Sequence, residues 1–266
     1  MRTESLTGRL RLPLAAAGLL AAMGCSDATG PVDSTLRSHD FPVGWEELRD
    51  ALIQARAEAN GGLNLDMWAT IVNRDGIVVA VAFTGERRDD QWPGSRVISA
   101  QKANTANAFS LDALALSTAN LFSAVQPGGS LFGLQESNPV DTRVAYGGRP
   151  SDYGTRRDFM VGKRIGGVNV FGGGVALYDA LGNVIGAVGV SGDTSCADHN
   201  IAWKVRDFLG LDYVPGGVSA TGDDNIVYDI TGGVSAGGFG HPECSPESTA
   251  IGENLPASNP ISHPVS

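Results

Sequence analysis

The stretch IGAVGVSGDTSCADHNIAW, Ile185–Trp203, contains the junction that decides the fold. An apolar run ends at Ser191-Gly192, and a segment with helical spacing begins a few residues later. The junction can be interpreted as a catalytic turn, as an anion cradle, or as a joint between a strand and a helix.

The first two interpretations fit the residues poorly. Residues 189–193, GVSGD, nearly match the nucleophile elbow G-x-S-x-G, but Asp193 stands where that sharp turn needs a small residue. The spacing G-x-x-G-x-x-G over residues 186–192 is typical of an anion cradle, yet Asp193 and Asp198 place negative charge at the same point. A serine hydrolase is therefore not favoured, and the anion signal is weak.

The third interpretation, a joint between a strand and a helix, accounts for more of the residues. Ser195 to Asp198 read S-x-x-D, which predicts a capping box with Ser195 as the N-cap and a helix from about Cys196 to Leu209. One face of this helix is apolar. His199, Trp203 and Arg206 recur at i, i+4 and i+7 on another side, where a function could be located.

Two hairpins are predicted from turn residues between β-branched runs. Asp75-Gly76 interrupts MWATIVNRDGIVVAVAFTG, and Gly182-Asn183 interrupts VALYDALGNVIGAVGVSG, whose glycine-rich second strand indicates close packing against another element. Helices are predicted over residues 44–60, 95–110 and 112–125. Because strands and helices do not alternate, the fold class is α+β, an antiparallel sheet flanked by helices.

The start of the chain predicts export. Three arginines precede LPLAAAGLLAAMG, so residues 1–24 are interpreted as a signal peptide, and AAMGCS is similar to a lipobox that makes Cys25 a lipidated N-terminus. An ordinary signal peptide cut nearby is the alternative. Residues 25–40 form a polar tether, residues 41–211 the domain, and residues 212–266 a Gly/Pro/Ser-rich extension with little structure after Pro242.

Charge and cysteine count limit the partners. Residues 1–24 carry three arginines and one glutamate, so their removal takes the net charge from −10 to −12, which argues against a nucleic-acid partner. With Cys25 lipidated, Cys196 and Cys244 remain and are expected to form a disulfide, two unrelated thiols being the alternative. The cysteines and four scattered histidines do not predict a zinc site.

Four motifs in order carry a resemblance. The hairpin at Asp75-Gly76, QKANTANAF, FGGGVALYD and GNVIGAVGVSGDTSCAD resemble the GlcG/HbpS family, also called the haem-degrading or DUF336 domain, over roughly Trp45–Leu211. The resemblance implies a layered sandwich of the GlcG or profilin/PAS type, frequent homo-oligomers, and binding of haem or a related ligand in some members. The family positions carried over are Lys102, Thr105, Gly172–Gly174, Gly189, Ser191, Gly192 and Asp198.

Three departures from the family concern the pocket more than the fold. Ala176 stands where the family commonly has proline, the stretch over residues 126–166 is long, and the tail with Cys244 is extra. Within that long stretch, Arg149–Arg164 has a local charge of +3 and predicts a solvated loop, a subunit contact or an anion-binding lid.

The leading hypothesis is a noncatalytic lipoprotein that binds haem or a small ligand on the periplasmic side of a bacterial envelope, at its outer membrane. His199 would be the axial iron ligand, Trp203 a wall, and Arg206 and Lys102 partners of the propionates, beside Thr105. Loop residues that could replace His199 are His39, His241, Tyr146 and Tyr153. An enzyme acting on haem or a small hydroxy acid and a structural, partner-binding envelope lipoprotein are the alternatives.

Overall fold

The computed structural model describes residues 41–265. The predicted signal peptide, the lipidated Cys25 and the tether all lie outside the described residues. None of the helices between residues 41 and 265 combines the length and the hydropathy that a membrane span requires.

The elements follow the predicted order through the domain except at residues 112–125, and they continue beyond the domain. The helices are α1 (Trp45–Ala57), α2 (Ser95–Phe109), α3 (Leu134–Ser137), α4 (Thr142–Ala145), α5 (Ser195–Phe208) and α6 (Pro246–Ser258). The strands are β1 (Trp68–Asn73), β2 (Val78–Phe83), β3 (Gly174–Tyr178), β4 (Val184–Ser191), β5 (Ile230–Thr231) and β6 (Val234–Ser235). Short 3-10 turns occupy Thr118–Leu121, Ser123–Val125 and Pro150–Asp152.

Both predicted hairpins form and join into one antiparallel sheet. Its strand order is β2-β1-β4-β3, and the two hairpins meet where β1 pairs with β4, with Trp68 opposite Ser191 and Asn73 opposite Gly186. The short strands β5 and β6 pair separately. The predicted fold class, an antiparallel sheet flanked by helices, is confirmed.

The sheet separates two layers of core. On one face, α1 and α5 pack against the sheet through residues such as Leu52 and Val205, which meet Val188 of β4. On the other face, α2 packs through Ala103, close to Ala187. The sheet is therefore covered on both faces, which explains why its strands are almost continuously apolar.

Glycines in the second hairpin let α2 approach the sheet at backbone distance, as the sequence predicted. A Cβ atom at Gly189 would overlap the backbone of Ser99 and Ala103, and one at Gly174 would overlap the backbone of Lys102. No residue with a side chain fits at these positions without moving the helix.

Two predicted features are wrong. Residues 112–125 do not form a helix, because backbone amides there bind distant partners: Ala115 donates to the carbonyl of Gly216, and Leu116 donates to the hydroxyl of Ser110. The segment after Pro242 is not without structure, since Ser245 caps α6, which packs beside α5. Proline at the start of α6 is compatible with a helix because the first amides have no partner within it.

Substituting Gly189→Ala should lower the free energy of unfolding by at least about 1–3 kcal/mol, because the added methyl overlaps rigid backbone of α2. Gly94→Ala is the matched control: it lies just before α2 at φ −65°, and no described atom lies near its Cβ position. Urea denaturation of both variants is the measurement. Equal stability of Gly189→Ala and the wild type would contradict the close approach.

Candidate ligand-binding site

The C-terminal extension covers the face of α5 on which the sequence placed haem. His199, Trp203 and Arg206 do share one side of the helix, but all three are buried. The covering residues come from the segments before and after α6 and form specific polar contacts with each of them. This face opens onto no described cavity.

His199 is held as a neutral imidazole. Its Nε2 atom lies 3.2 Å from Oδ1 of Asn225 and 3.1 Å from the backbone nitrogen of Ile226. Burial lowers the pKa of His199 to about 3, although the contact with Asn225 acts in the opposite direction. An iron ion could not reach Nε2 unless the extension moved away.

Trp203 and Arg206 are also engaged by the extension. The indole nitrogen of Trp203 donates to the carbonyl of Asn259 at 2.8 Å. Both terminal nitrogens of Arg206 donate to the carboxylate of Asp224, at 2.8 Å each, and this ion pair is fully buried. The guanidinium is therefore neutralised from within the chain.

The start of α5 differs from the predicted capping box. Thr194 is the N-cap, and its hydroxyl accepts from the backbone nitrogen of Ala197 at 3.3 Å. Ser195 is instead the first residue of the helix. Its hydroxyl oxygen lies 2.7 Å from Nε2 of His241 and accepts from the backbone nitrogen of Gly172, also at 2.7 Å.

Asp198 binds a lysine instead of capping the helix. One carboxylate oxygen lies 2.7 Å from Nζ of Lys102, which also donates to the carbonyl of Val190, and the other accepts from the backbone nitrogen of Asp193 at 2.8 Å. Burial raises the pKa of Asp198 to about 6 and lowers the pKa of Lys102, while their mutual attraction opposes both shifts. Lys102 is therefore a structural cation.

Thr105, which the family resemblance also places at the ligand site, is buried, and its hydroxyl contacts backbone groups. Its hydroxyl donates to the carbonyl of Gln101 at 2.7 Å and accepts from the backbone nitrogen of Asn169 at 3.0 Å. It holds the segment that leads into β3 against α2.

An open cavity of about 300 Å³ lies instead at the start of α2, and we call it the aromatic pocket. Its lining consists of aromatic side chains, two arginines and short neighbours from the loops around α2. These residues are Trp68, Arg88, Asp89, Pro93, Gly94, Arg96, Val97, Tyr146 and Tyr153. Its volume is at the small end of the range for ligand pockets.

A buried ion pair builds the wall of this pocket. Arg96 donates to both carboxylate oxygens of Asp158 and, at 2.7 Å, to the carbonyl of Ala145. Asp158 also accepts from the backbone nitrogens of Gly154 and Met160, at 2.7 and 2.9 Å. The long segment before β3 is thereby fixed onto α2.

The tyrosines of the pocket have different surroundings. The ring of Tyr153 lies 3.7 Å from the guanidinium carbon of Arg96, and its hydroxyl donates to the carbonyl of Tyr146 at 3.1 Å. The side chain of Tyr146 is 63% exposed, and within residues 41–265 its hydroxyl has no hydrogen-bond partner. Tyr146 is therefore the tyrosine that is available to a ligand.

Charges of both signs line the pocket next to each other. Arg88 is exposed and forms no ion pair within the described part of the chain, whereas Asp89 follows it directly. Trp68, in the floor, has an indole nitrogen without a hydrogen-bond acceptor among the described residues. The pocket can hold an aromatic molecule by stacking and an acidic group through Arg88.

Sequence reasoning named only the two tyrosines of this pocket. Arg96 and Asp158 are 62 positions apart, and no local pattern connects a basic residue of α2 with an acidic residue in a basic loop. Four of the five cations of Arg149–Arg164 have partners among the described residues. Arg156 pairs with Glu46 and Arg157 with Asp152, while Lys163 and Arg164 donate to the carbonyls of Phe159 and Asp75. Most of the positive charges in that segment therefore bind other groups of the chain.

Comparison with known proteins shows the family to which the chain belongs. The family model described as haem degrading protein HbpS-like matches residues 44–206. The crystal structure of Klebsiella pneumoniae protein ORFY, described with the family model DUF336, is 27% identical, with a TM-score of 0.42, covering 62% of this chain and 86% of that one. The PduOC:heme complex is 23% identical, with a TM-score of 0.43, covering 61% and 89%. No curated protein matches the chain.

Substituting Asp224→Ala should destabilise the protein by about 3–5 kcal/mol, because it leaves the guanidinium of Arg206 buried without a counter-charge. The control is Arg157→Ala, whose side chain is 79% exposed in its pair with Asp152 and which should cost about 1 kcal/mol or less. Urea denaturation measures both. Similar losses of unfolding free energy in the two variants would contradict the assignment of Arg206 and Asp224 as a buried ion pair.

The buried neutral His199 should make stability depend on pH. Because the pKa of His199 falls from its ordinary 6.5 to about 3 on folding, only the unfolded chain takes up this proton between those values. The free energy of unfolding should therefore fall as the pH drops from about 6.5, with a contribution of about 1.4 kcal/mol per pH unit. His199→Gln should reduce that slope, whatever its effect on absolute stability; an unchanged slope would contradict the assignment.

Proposed function

Because the chain belongs to the family of HbpS-like haem-degrading proteins, we propose that it binds haem, or a similar aromatic and anionic small molecule, in the aromatic pocket. The observation that carries this proposal is the exposed phenol of Tyr146, which has no partner in residues 41–265 and lines a cavity with two further aromatic walls.

The residues of the pocket fit the chemical needs of haem. A tyrosine oxygen can serve as an axial ligand to haem iron, and Tyr146 would fill this role. Trp68 and Tyr153 would contact the edge of the macrocycle, and Arg88 would pair with a propionate.

The pocket supports binding better than the α5 face does. At the pocket, the cation Arg88 and the phenol of Tyr146 need no bond within residues 41–265 to be broken before a ligand arrives. At the α5 face, binding to His199 would require loss of the contacts made by Asn225 and of the cover over a buried ion pair. Uncovering the α5 face in this way costs several kcal/mol before any contact with a ligand forms.

The proposal includes export. The arginine-rich start and the AAMGCS motif support a lipoprotein anchored through Cys25 on the periplasmic side of a bacterial outer membrane. The disulfide between Cys196 and Cys244 supports an oxidising compartment.

Titration of haemin into the ligand-free protein tests the proposal. The wild type should give a saturable shift of the Soret band, and Tyr146→Phe should change the spectrum of the complex by removing the axial oxygen. Arg88→Ala should weaken binding by up to about fivefold, because an exposed ion pair contributes about 1 kcal/mol at most. Tyr213→Phe is the matched control, since Tyr213 packs in a separate cluster and does not line the pocket.

Three outcomes of that titration are decisive. No saturable shift in the wild type would contradict haem binding. A spectrum that changes in His199→Asn but not in Tyr146→Phe would place the ligand on α5 and contradict the pocket. A Soret band that forms and then decays on incubation would indicate that the bound haem is degraded, which is the enzymatic alternative.

A further inference from the structure

The fold brings a histidine to the two bonded cysteines, although the sequence separates them widely. The disulfide joins Cys196 to Cys244, 48 positions apart. His241 lies beside it, with Nδ1 4.0 Å from Sγ of Cys196, and one ligand atom from each of the three residues lies within 4.8 Å of the others. The scattered spacing of these residues gave no indication of a common site.

We propose that Cys196, Cys244 and His241 form a metal site that the disulfide closes and that reduction opens. Two thiolates and one imidazole nitrogen are the ligand set of Zn²⁺ and related borderline or soft cations, and water can complete a tetrahedral site. The site shares no residue with the aromatic pocket and does not depend on haem binding.

The opening step balances with one external reductant. A dithiol supplies two electrons and two protons, so the sulfur–sulfur bond breaks, two cysteine thiols form, and the dithiol becomes a disulfide. The incoming cation then replaces the two thiol protons, which pass to solvent. Closing the site takes an external disulfide, which accepts the two electrons of the cysteine thiolates by exchange and leaves as a dithiol; the sulfur–sulfur bond then re-forms and the cation is released.

The surroundings of the sulfur atoms favour negative charge. Cys196 lies in the first turn of α5, where the helix dipole favours an anion, and the carboxylate of Asp198 in the same turn is paired with Lys102. Its own backbone nitrogen donates to Sγ of Cys244 at 3.2 Å. Both sulfur atoms therefore lie at the positive end of the same helix.

His241 already has the outer contact that a metal-bound histidine needs. Its Nε2 atom lies 2.7 Å from the hydroxyl of Ser195, while Nδ1 lies 2.7 Å from the carbonyl of Pro242. With a cation on Nδ1 in place of Pro242, the ring proton sits on Nε2 and donates to Ser195. Such contacts orient metal-binding histidines, and their loss typically weakens binding about 10–100-fold.

The loop around the cluster is held by contacts other than the disulfide. Ser245, directly after Cys244, donates to the carbonyl of Gly61 at 2.9 Å, and Asn200 of α5 donates to the carbonyl of Ser248 at 3.1 Å. Cys196 is buried and Cys244 is exposed, so reductant and cation can approach from one side. These contacts keep the three ligands close after the disulfide opens.

Titration with Co²⁺ under anaerobic conditions tests the proposal. The full chain carries Cys25→Ser, so that the two clustered cysteines are its only thiols. The reduced protein should bind one Co²⁺ per chain, with thiolate charge-transfer absorption and the intense visible bands of a tetrahedral ion, and Zn²⁺ should displace it. The oxidised protein should show neither absorption. Ser195→Ala should weaken binding about 10–100-fold while the thiolate bands remain.

Two further comparisons make the result decisive. His241→Ala should lose the tetrahedral bands, and binding by the reduced wild type no tighter than by the Cys196→Ser, Cys244→Ser double variant would overturn the site. If reduction unfolds the chain, Zn²⁺ should restore the near-ultraviolet circular dichroism of the wild type but not of His241→Ala. Failure to restore it, or equal recovery in both proteins, would also overturn the proposal.

Discussion

Lys102 cannot reach water, and much of the domain is arranged around that constraint. Glycines at 174 and 189 bring α2 so close to the sheet that the ammonium group ends in the interior, beside the carbonyl of Val190. A buried charge requires a counter-charge, and Asp198 supplies it from the first turn of α5. Because α2 and α5 lie on opposite faces of the sheet, this pair links both layers around the end of β4.

The C-terminal extension is the second determinant of what the molecule can do. It contributes Asp224, Asn225 and Asn259 to the outer side of α5, where they contact Arg206, Nε2 of His199 and the indole nitrogen of Trp203. A domain without this segment would present those groups at its surface. Here they belong to the interior, and the open cavity lies instead among the loops around the start of α2.

A buried ion pair also organises the aromatic pocket, but there the neighbouring cavity stays open. Arg96 is neutralised by Asp158, which fixes a long glycine-rich segment against α2 and leaves the rings of Tyr146 and Tyr153 beside Trp68. Within residues 41–265, three buried arginine or lysine pairs thus organise the domain, and the pair of Arg96 with Asp158 lies beside an open cavity. The cations Arg157 and Arg164 of that segment bind groups of the chain itself, whereas Arg88, from another loop, lines the pocket without an ion pair in residues 41–265.

The sequence by itself determined the two hairpins, α1, α2, α5 and the antiparallel class, because turn glycines, β-branched runs and helical spacing act within short windows. It also predicted the disulfide, from the three cysteines together with the expected export and lipidation of Cys25. Only the tertiary structure decided which polar groups meet: Asp198 binds Lys102 across 96 positions, and His241 reaches Ser195 across 46. A buried charge can pair with an opposite charge from any part of the chain that the fold brings next to it. For the same reason no local pattern could show that His199 would be covered by the extension and that Tyr146 would stay exposed.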